Sequence, residues 1–389
     1  MRSLIKAYDF LDFAYNRSLM KFRFYLDNIK RAVVLGNNIK SILVIRLASI
    51  GDIVRSTAVI SSLRKRYPKA RIDFLTTNIC IPLLKDNHEL NEVYSLDDIK
   101  SLAKYDWVIN LQAPDPPESF LKGSGMSFTE ILAYISKNIP HRLISGRQIR
   151  HNKEISPTNI FYCTSAIEEL FLTSLLNFPK NPFARFNLPV KKGIKKFKLK
   201  DNTVAIFLGS NSSGGDDGGF RTYSISFLAR MIGMLYSRFN IVVIGQSGVK
   251  TKEEMKQFKA VLKLYPKVKN LVDKTSLEEL VTIIRSSRLF ISSDSSPLHI
   301  ALAVKTPVIG LFPNHGSFEV SQKLSSGNYI IINSRSPCFR YSWRWKFFCT
   351  ACSDKHSRLY RCNQKNKTHP VDTIPLENIE SAVSKLLSL

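Results

Sequence analysis

The chain has 389 residues, of which 44% are hydrophobic and 23% are charged, a composition typical of a globular protein large enough for two cores. No apolar run approaches the roughly 18 uncharged residues that a membrane-spanning helix needs, which excludes a helical integral membrane protein. The 57 lysines and arginines outnumber the 31 acidic residues and give a net charge of +26. This charge favours polyanionic partners such as nucleic acid, an anionic membrane surface or a phosphorylated glycolipid.

The first 40 residues predict an N-terminal amphipathic helical extension. Apolar residues recur at spacings of three, four or seven between Leu4 and Val33, and basic residues occupy other positions. Such a helix either lies on a membrane surface or packs on the protein with its charged face in water. Asp9 and Asp12 interrupt the apolar residues, and no small-residue cleavage site follows. A secretory signal peptide is therefore not indicated, and we expect a cytoplasmic protein.

Residues 41–190 alternate between strand and helix patterns and predict a first Rossmann-like domain. Ile42–Leu47 has the sequence of a buried strand, small residues form a turn over Ala48–Gly51, and a helical pattern begins at Ile53 and runs to Tyr67. Repeated strand–helix units imply a parallel sheet. The predicted strands after the first are 71–75, 93–94 and 107–111, with helical patterns around 81–85 and over 97–103 between them. Residues 128–186 are less regular, apart from a helical pattern over 161–176.

Asp52 directly follows the first turn, at the carboxyl end of a predicted parallel strand. Open α/β sheets place their ligands at this edge. A carboxylate in the first turn of a helix also interacts favourably with the helix dipole, so Asp52 is either a capping charge or a functional group. The segment 112–125, rich in Pro, Gly and Ser, is predicted to lie at the same edge of the sheet.

A polar, basic run over residues 191–202 is typical of a linker. It could also form a nucleic-acid patch, but it lacks the interleaved aromatic residues that would support this, so we do not expect a nucleic-acid partner. A second Rossmann-like domain is predicted over 203–375, followed by a closing helix at 376–389. Its predicted elements include helices at 252–264 and 277–286 and a strand at 308–312. Two such domains joined by a linker predict a cleft between them.

The first strand of the second domain runs into a loop with the composition of a phosphate site. Glycines and serines fill Gly209–Gly219, and their backbone N–H groups can approach a phosphate closely. Arg221 lies just beyond the loop, and its planar guanidinium could bind a phosphate through two hydrogen bonds. The alternatives are a mobile loop and an ordinary surface arginine.

A second loop of this kind follows the strand predicted at 289–292. Asp294, Ser295 and Ser296 come first, and Pro297 begins a helix at a position where proline is tolerated. Serine amides and hydroxyls at the start of a helix can bind a diphosphate. His299 lies in the first turn of the helix. A lone histidine is usually structural, but this set of polar residues on one turn favours a functional site.

Two sequence motifs carry a family resemblance. The first is the strand and turn that end in Ser49-Ile-Gly-Asp52, followed by a helix that ends at Arg66-Tyr-Pro68. The second is Ser293-Asp-Ser-Ser-Pro-Leu-His-Ile-Ala-Leu-Ala303, which is followed by Thr306-Pro-Val-Ile-Gly-Leu-Phe312. Together they resemble glycosyltransferase family 9, the bacterial heptosyltransferases of lipopolysaccharide synthesis, over roughly residues 41–320. The resemblance implies an α/β fold of GT-B type, with two Rossmann-like domains facing a cleft. The first domain would bind the acceptor and the second a nucleotide-sugar donor.

The resemblance also implies the reaction. We expect inverting transfer of a heptose from ADP-heptose to an anionic lipopolysaccharide inner-core acceptor, without a cofactor or an essential metal. Asp52 would be the general base, and Arg221 falls where the family usually has a phosphate-binding lysine. We assign donor binding to Gly209, Ser210, Asn211, Arg221, Asp294, Ser295, Ser296 and His299. We assign acceptor binding to Ser49, Gly51 and Gln112.

Other interpretations of the same residues stay open. The fold could use another nucleotide sugar, or a different glycolipid or a protein as acceptor. A non-catalytic basic protein that binds membrane or nucleic acid is a further alternative. For the enzyme we expect peripheral association with the cytoplasmic face of the inner membrane. The sequence carries no indication of oligomeric state.

Four of the six cysteines cluster late in the chain, at Cys338, Cys349, Cys352 and Cys362, with His356 nearby. One C-x-x-C pair with two outlying cysteines could hold a structural zinc ion. The usual arrangement of two C-x-x-C pairs is absent, so a cluster of reduced thiols in a loop is the simpler interpretation.

Overall fold

The computed structural model describes residues 38–47, 50–112, 121, 125–146, 148–150, 153–155, 188, 195–209, 222–312, 328–334 and 370–388. The chain divides into two compact units, residues 1–189 and 190–389. The predicted N-terminal extension, the helical pattern over 161–176 and the cysteine cluster lie outside the described residues. Within the described ranges, no helix combines the length and apolar character needed to cross a bilayer.

The first unit is built on a five-stranded parallel sheet with the strand order β3-β2-β1-β4-β5. Parallel strands are covered on both faces, which explains their near-continuous apolar sequences. The strands are β1 (Ser41–Ile45), β2 (Arg71–Leu75), β3 (Glu92–Tyr94), β4 (Tyr105–Asn110) and β5 (His141–Gly146). The helices are α1 (Ile50–Arg66), α2 (Ile81–Leu84) and α3 (Phe128–Asn138), and an antiparallel ribbon joins β6 (Gln148–Arg150) to β7 (Lys153–Ile155).

Helix α1 buries most of its length, although nearly half of its buried residues are polar or glycine. The apolar members, such as Ile53 and Leu63, are fully enclosed. The hydroxyl groups bond back to the helix's own carbonyls, since Ser56 Oγ donates to Asp52 O at 2.8 Å and Ser62 Oγ donates to Ala58 O at 2.9 Å. A buried hydroxyl satisfied in this way costs little, so α1 can pack closely without being apolar all round.

The second unit contains a six-stranded parallel sheet with the order β10-β9-β8-β11-β12-β13. Its strands are β8 (Thr203–Phe207), β9 (Asn240–Ile244), β10 (Lys269–Asn270), β11 (Leu289–Ser293), β12 (Val308–Phe312) and β13 (Tyr329–Asn333). Its helices are α4 (Ile225–Leu235), α5 (Lys252–Leu264), α6 (Leu277–Ser286), α7 (Ser296–Ala303) and α8 (Leu376–Leu387). Ile379 and Val383 of α8 pack into the same core as β8 and β11, so this closing helix belongs to the second unit.

Among the described residues, the main differences from the sequence prediction change where an element begins, its type or its existence. Helix α1 begins at Ile50, three residues before the predicted start, so Asp52 lies inside its first turn. The helix predicted at 97–103 is a 3-10 helix over Leu96–Ser101. Residues 128–146, predicted to be irregular, form α3 and β5. A local signal for α3 was present, because Ser127 and Glu130 form a capping box at its start.

Candidate active site

Each sheet has a point where its strand order reverses direction. In the first sheet this switch point lies between β1 and β4, and in the second it lies between β8 and β11. Ligands of open α/β sheets bind in the crevice outside the carboxyl ends of the strands at such a point. Asp52 and Gln112 lie just after β1 and β4, while Gly209 and Ser295 lie just after β8 and β11. Each unit therefore carries its predicted residues where its topology favours a site.

Asp52 is held by two arginines. Its Oδ2 lies 2.8 Å from Nη2 of Arg46, and its Oδ1 lies 3.6 Å from Nη1 of Arg55. Both arginine side chains are 3% exposed, whereas the Asp52 side chain is 18% exposed. Both contacts are ion pairs, of which the first is short and the second is looser. The carboxylate thus lies between two buried cations and still has access to solvent.

Arg46 also joins the ends of two strands. Its Nη1 donates a hydrogen bond to the Leu111 carbonyl just beyond β4. Gln112 supports the same junction, because its Oε1 accepts from the Leu47 N–H at 2.9 Å. Gln112 is buried, as is Gly51. The side-chain oxygen of Gln112 therefore holds the ends of β1 and β4 together. This structural role is separate from the acceptor binding predicted for the residue.

The second unit brings Asp294, Ser295, Ser296 and His299 together at the start of α7. Ser295 is the N-cap residue and Ser296 the first helical residue. Asp294 and His299 are each 7% exposed. The Ser295 hydroxyl lies 2.9 Å from the Ser292 hydroxyl and donates to the Ser293 carbonyl at 3.1 Å, and it makes no capping bond to α7. The Ser295 side chain thus does not cap α7; within the first turn Pro297 has no N–H group, and the Leu298 N–H donates to Ser295 O at 3.1 Å.

Gly209 lies at the base of the glycine- and serine-rich segment, in a conformation that only glycine adopts readily (φ +139°). A Cβ atom at this position would lie 2.2 Å from Thr222 Oγ1. Thr222 Oγ1 accepts a hydrogen bond from Lys250 Nζ at 3.1 Å, and the Tyr223 carbonyl accepts another. The Lys250 side chain is fully buried, and burial lowers its pKa despite the nearby carboxylate of Glu254. These contacts hold Thr222 and Tyr223 in place, with the Thr222 hydroxyl close to Gly209.

Several predicted residues cannot be placed. Ser49, Ser210, Asn211 and Arg221 lie outside the described residues, as do Cys338, Cys349, Cys352 and Cys362. Across the parts of the chain that the structure describes, no group of three or more His, Cys, Asp or Glu residues is arranged to hold a metal ion.

Sequence comparisons give the same relationship in two ways. The family model for glycosyltransferase family 9 (heptosyltransferase) matches residues 191–346. Lipopolysaccharide heptosyltransferase 3 of Escherichia coli is 25% identical over 289 residues, which cover 67% of this chain and 80% of that protein. Lipopolysaccharide heptosyltransferase 2 of Salmonella typhimurium is 24% identical over 305 residues, covering 70% of this chain and 82% of that protein.

Residues 191–346 thus match glycosyltransferase family 9, and the chain is similar to heptosyltransferases over two thirds of its length.

Solved structures of family 9 proteins share the fold. The glycosyltransferase family 9 protein of Veillonella parvula aligns with a TM-score of 0.61 at 15% identity, over 90% of this chain and 97% of its own. The ADP-heptose lps heptosyltransferase II of E. coli aligns with a TM-score of 0.58 at 17% identity, over 90% of this chain and 98% of its own. The prediction of a GT-B fold with two Rossmann-like domains is confirmed, as is the prediction of a glycosyltransferase.

The structure adds site residues that the sequence prediction missed. Arg46 and Arg55 flank Asp52, and Lys250 holds Thr222 and Tyr223 beyond the glycine-rich segment. A signal existed for Arg46, because it is the charged residue inside an otherwise apolar run, and for Arg55, because it lies one helical turn after Asp52. Lys250 gave no comparable signal, since its partners are 27 and 28 residues away.

Proposed function

We propose that this glycosyltransferase moves a heptose from ADP-heptose to a lipopolysaccharide inner-core acceptor, with inversion at the anomeric carbon and no essential metal. The observation that carries the proposal is the position of Asp52, a partly exposed carboxylate at the switch point of the first sheet. The match to family 9 supports the reaction class. The names of the relatives, which refer to lipopolysaccharide and to ADP-heptose, support the choice of substrates.

In this mechanism Asp52 accepts the proton of the attacking acceptor hydroxyl. The acceptor oxygen forms a bond to the anomeric carbon, and the bond from that carbon to the diphosphate oxygen breaks. ADP leaves with the electron pair of the broken bond. A positioned carboxylate typically contributes about 10²–10⁴-fold to such a step.

The donor diphosphate would bind at the start of α7 in the second unit. Helix N–H groups and serine hydroxyls stabilise the negative charge that grows on the leaving group. Ser295 and Ser296 lie at this helix start, with His299 in its first turn. Arg221 and the segment from Gly209 to Asn211 complete the proposed donor set.

We further propose that the enzyme works at the anionic face of the inner membrane, where its glycolipid acceptor resides. The net charge of +26 supports this. So does an exposed row of lysines on α5, spaced so that its members share one face of the helix. The row consists of Lys252, Lys256, Lys259 and Lys263.

Calorimetry with ADP, UDP, GDP and CMP tests the donor, and a transfer assay tests the base. We expect ADP to bind most tightly, and we expect its affinity to fall in Arg221→Ala and His299→Ala. Asp52→Asn should bind ADP like the wild type and lose about 10²–10⁴-fold in kcat with ADP-heptose.

Each other outcome removes a specific part of the proposal. Preference for another nucleotide would keep the enzyme and reject the ADP-sugar. Full transfer activity in Asp52→Asn would reject the base. Absence of nucleotide binding would favour a non-catalytic protein that uses its charge to bind membrane or nucleic acid.

A further inference from the structure

Arg46 is a buried cation with two contacts, an ion pair through Nη2 and a hydrogen bond through Nη1. One arm of its guanidinium, Nη2, reaches Asp52 at 2.8 Å, and the other, Nη1, donates to the main-chain carbonyl of Leu111. Leu111 follows β4 directly, and its own N–H bonds to Ile45 O of β1 at 2.9 Å. The planar guanidinium has a fixed fork geometry, so the direction of one arm determines that of the other. The main chain of β4 therefore sets the direction in which Arg46 meets Asp52.

We propose that Arg46 is a positioning residue that holds the Asp52 carboxylate in the orientation needed for proton transfer. This rests on the proposed function, because it assumes that Asp52 is the base. The other oxygen of Asp52 pairs with Arg55 Nη1 at 3.6 Å. The Arg46 ion pair, at 2.8 Å, is the shorter of these two and therefore acts more strongly on the orientation of the carboxylate.

The positioning role has a consequence for conservative replacement. A lysine at position 46 would keep the positive charge but has one ammonium group in place of a fork. It cannot hold the Leu111 carbonyl and Asp52 with the same fixed geometry. A charge role alone would be satisfied by lysine, whereas the positioning role would not.

The test compares Arg46→Met and Arg46→Lys with a matched control, Arg71→Met. Arg71 Nε also lies 2.8 Å from a carboxylate oxygen in the same sheet, that of Asp73. It lies on the first residue of β2, at the edge opposite Asp52. Both methionine variants remove an arginine–aspartate pair, but only one of these pairs involves the proposed base. We would measure kcat, the acceptor KM, ADP affinity by calorimetry and the thermal unfolding midpoint for all three variants.

We expect Arg46→Met to lose about 10²-fold in kcat, the size of effect that a small misplacement of a catalytic group produces. Its ADP affinity and acceptor KM should stay close to wild type, and Arg46→Lys should show an intermediate kcat. Arg71→Met should lower the unfolding midpoint and keep the wild-type kcat. In an Asp52→Asn background, Arg46→Met should cause no further loss, because the two residues act as one unit.

Three results would overturn the proposal, and they are distinguishable. Wild-type kcat in Arg46→Met beside a large loss in Asp52→Asn would reject the positioning role and leave the proposed function intact. Equal losses of kcat in Arg46→Met and Arg71→Met would show that the loss reflects a less stable protein and not a misplaced Asp52. Wild-type kcat in Asp52→Asn would reject the base, and the positioning role with it.

Discussion

Replacing Gly209 with alanine tests the packing at the base of the glycine-rich segment. The glycine has φ +139°, and a Cβ atom there would lie 2.2 Å from Thr222 Oγ1. The Thr222 hydroxyl cannot simply rotate away without losing its 3.1 Å bond from Lys250, which is buried. Two separate penalties therefore follow from one added methyl group.

The two penalties can be estimated independently. Placing a non-glycine residue in this backbone region costs about 1–3 kcal/mol. Forcing an extra carbon into a packed site costs about 1–3 kcal/mol more. We expect Gly209→Ala to lower the free energy of unfolding of the second unit by about 2–6 kcal/mol. Gly248→Ala is the matched control, since nothing lies within 4 Å of its Cβ position and its φ is ordinary.

Urea-dependent hydrogen exchange of peptides from α4 measures the unfolding of the second unit within the full chain. A second substitution separates the two penalties. Thr222→Ala removes the clashing oxygen, so Gly209→Ala should cost about 1–3 kcal/mol less in that background, whereas Thr222→Ser keeps the oxygen and should give no relief. A Gly209→Ala protein within about 0.5 kcal/mol of wild type would refute the argument.

Three further predictions concern stability and membrane binding. Burial raises the pKa of Asp73 above its usual 3.8, although Tyr105 and Arg71 oppose this. The folded state therefore binds more protons than the unfolded state just above pH 3.8, so the unfolding free energy of wild type, relative to that of Asp73→Asn, should fall as the pH rises from 3.8. Urea titrations in which this difference rises with pH would contradict the prediction. Gly310→Ala should cost about 1–3 kcal/mol in the same assay, because its Cβ would lie 2.6 Å from Ile331 Cδ1; an unchanged midpoint would contradict the packing. Reversing the lysine row on α5 to glutamate should weaken sedimentation with anionic vesicles by about 1 kcal/mol per residue; unchanged sedimentation would exclude this face.

Local patterns were sufficient for much of the fold. The predicted bounds of β2, α5, α6 and β12 match the structure residue for residue. The two helices begin at capping boxes, Thr251 with Glu254 and Ser276 with Glu279, which act within one helical turn. The two strands are short apolar runs. Signals of this kind can be read from neighbouring residues without knowledge of tertiary structure.

The contacts that organise the sites could not be predicted in this way. Arg46 and Leu111 are 65 residues apart, and their meeting depends on β1 and β4 pairing in one particular register. Lys250 meets Thr222 only because β8 and β9 are neighbours. Asp52 was identified from the residues around it, but the arginines that hold it are evident only once the chain has folded.

One carboxylate in the second unit belongs to two local structures. Glu254 completes the capping box of α5, accepting from the Thr251 N–H at 2.9 Å, and its other oxygen lies 3.4 Å from Lys250 Nζ. Glutamine serves a capping box as well as glutamate does, but it cannot neutralise a buried ammonium. Positions 250 and 254 should therefore vary together among homologues: where the lysine is kept, glutamate should be kept, and where it is lost, glutamine should become acceptable. An alignment of family members would test this covariation.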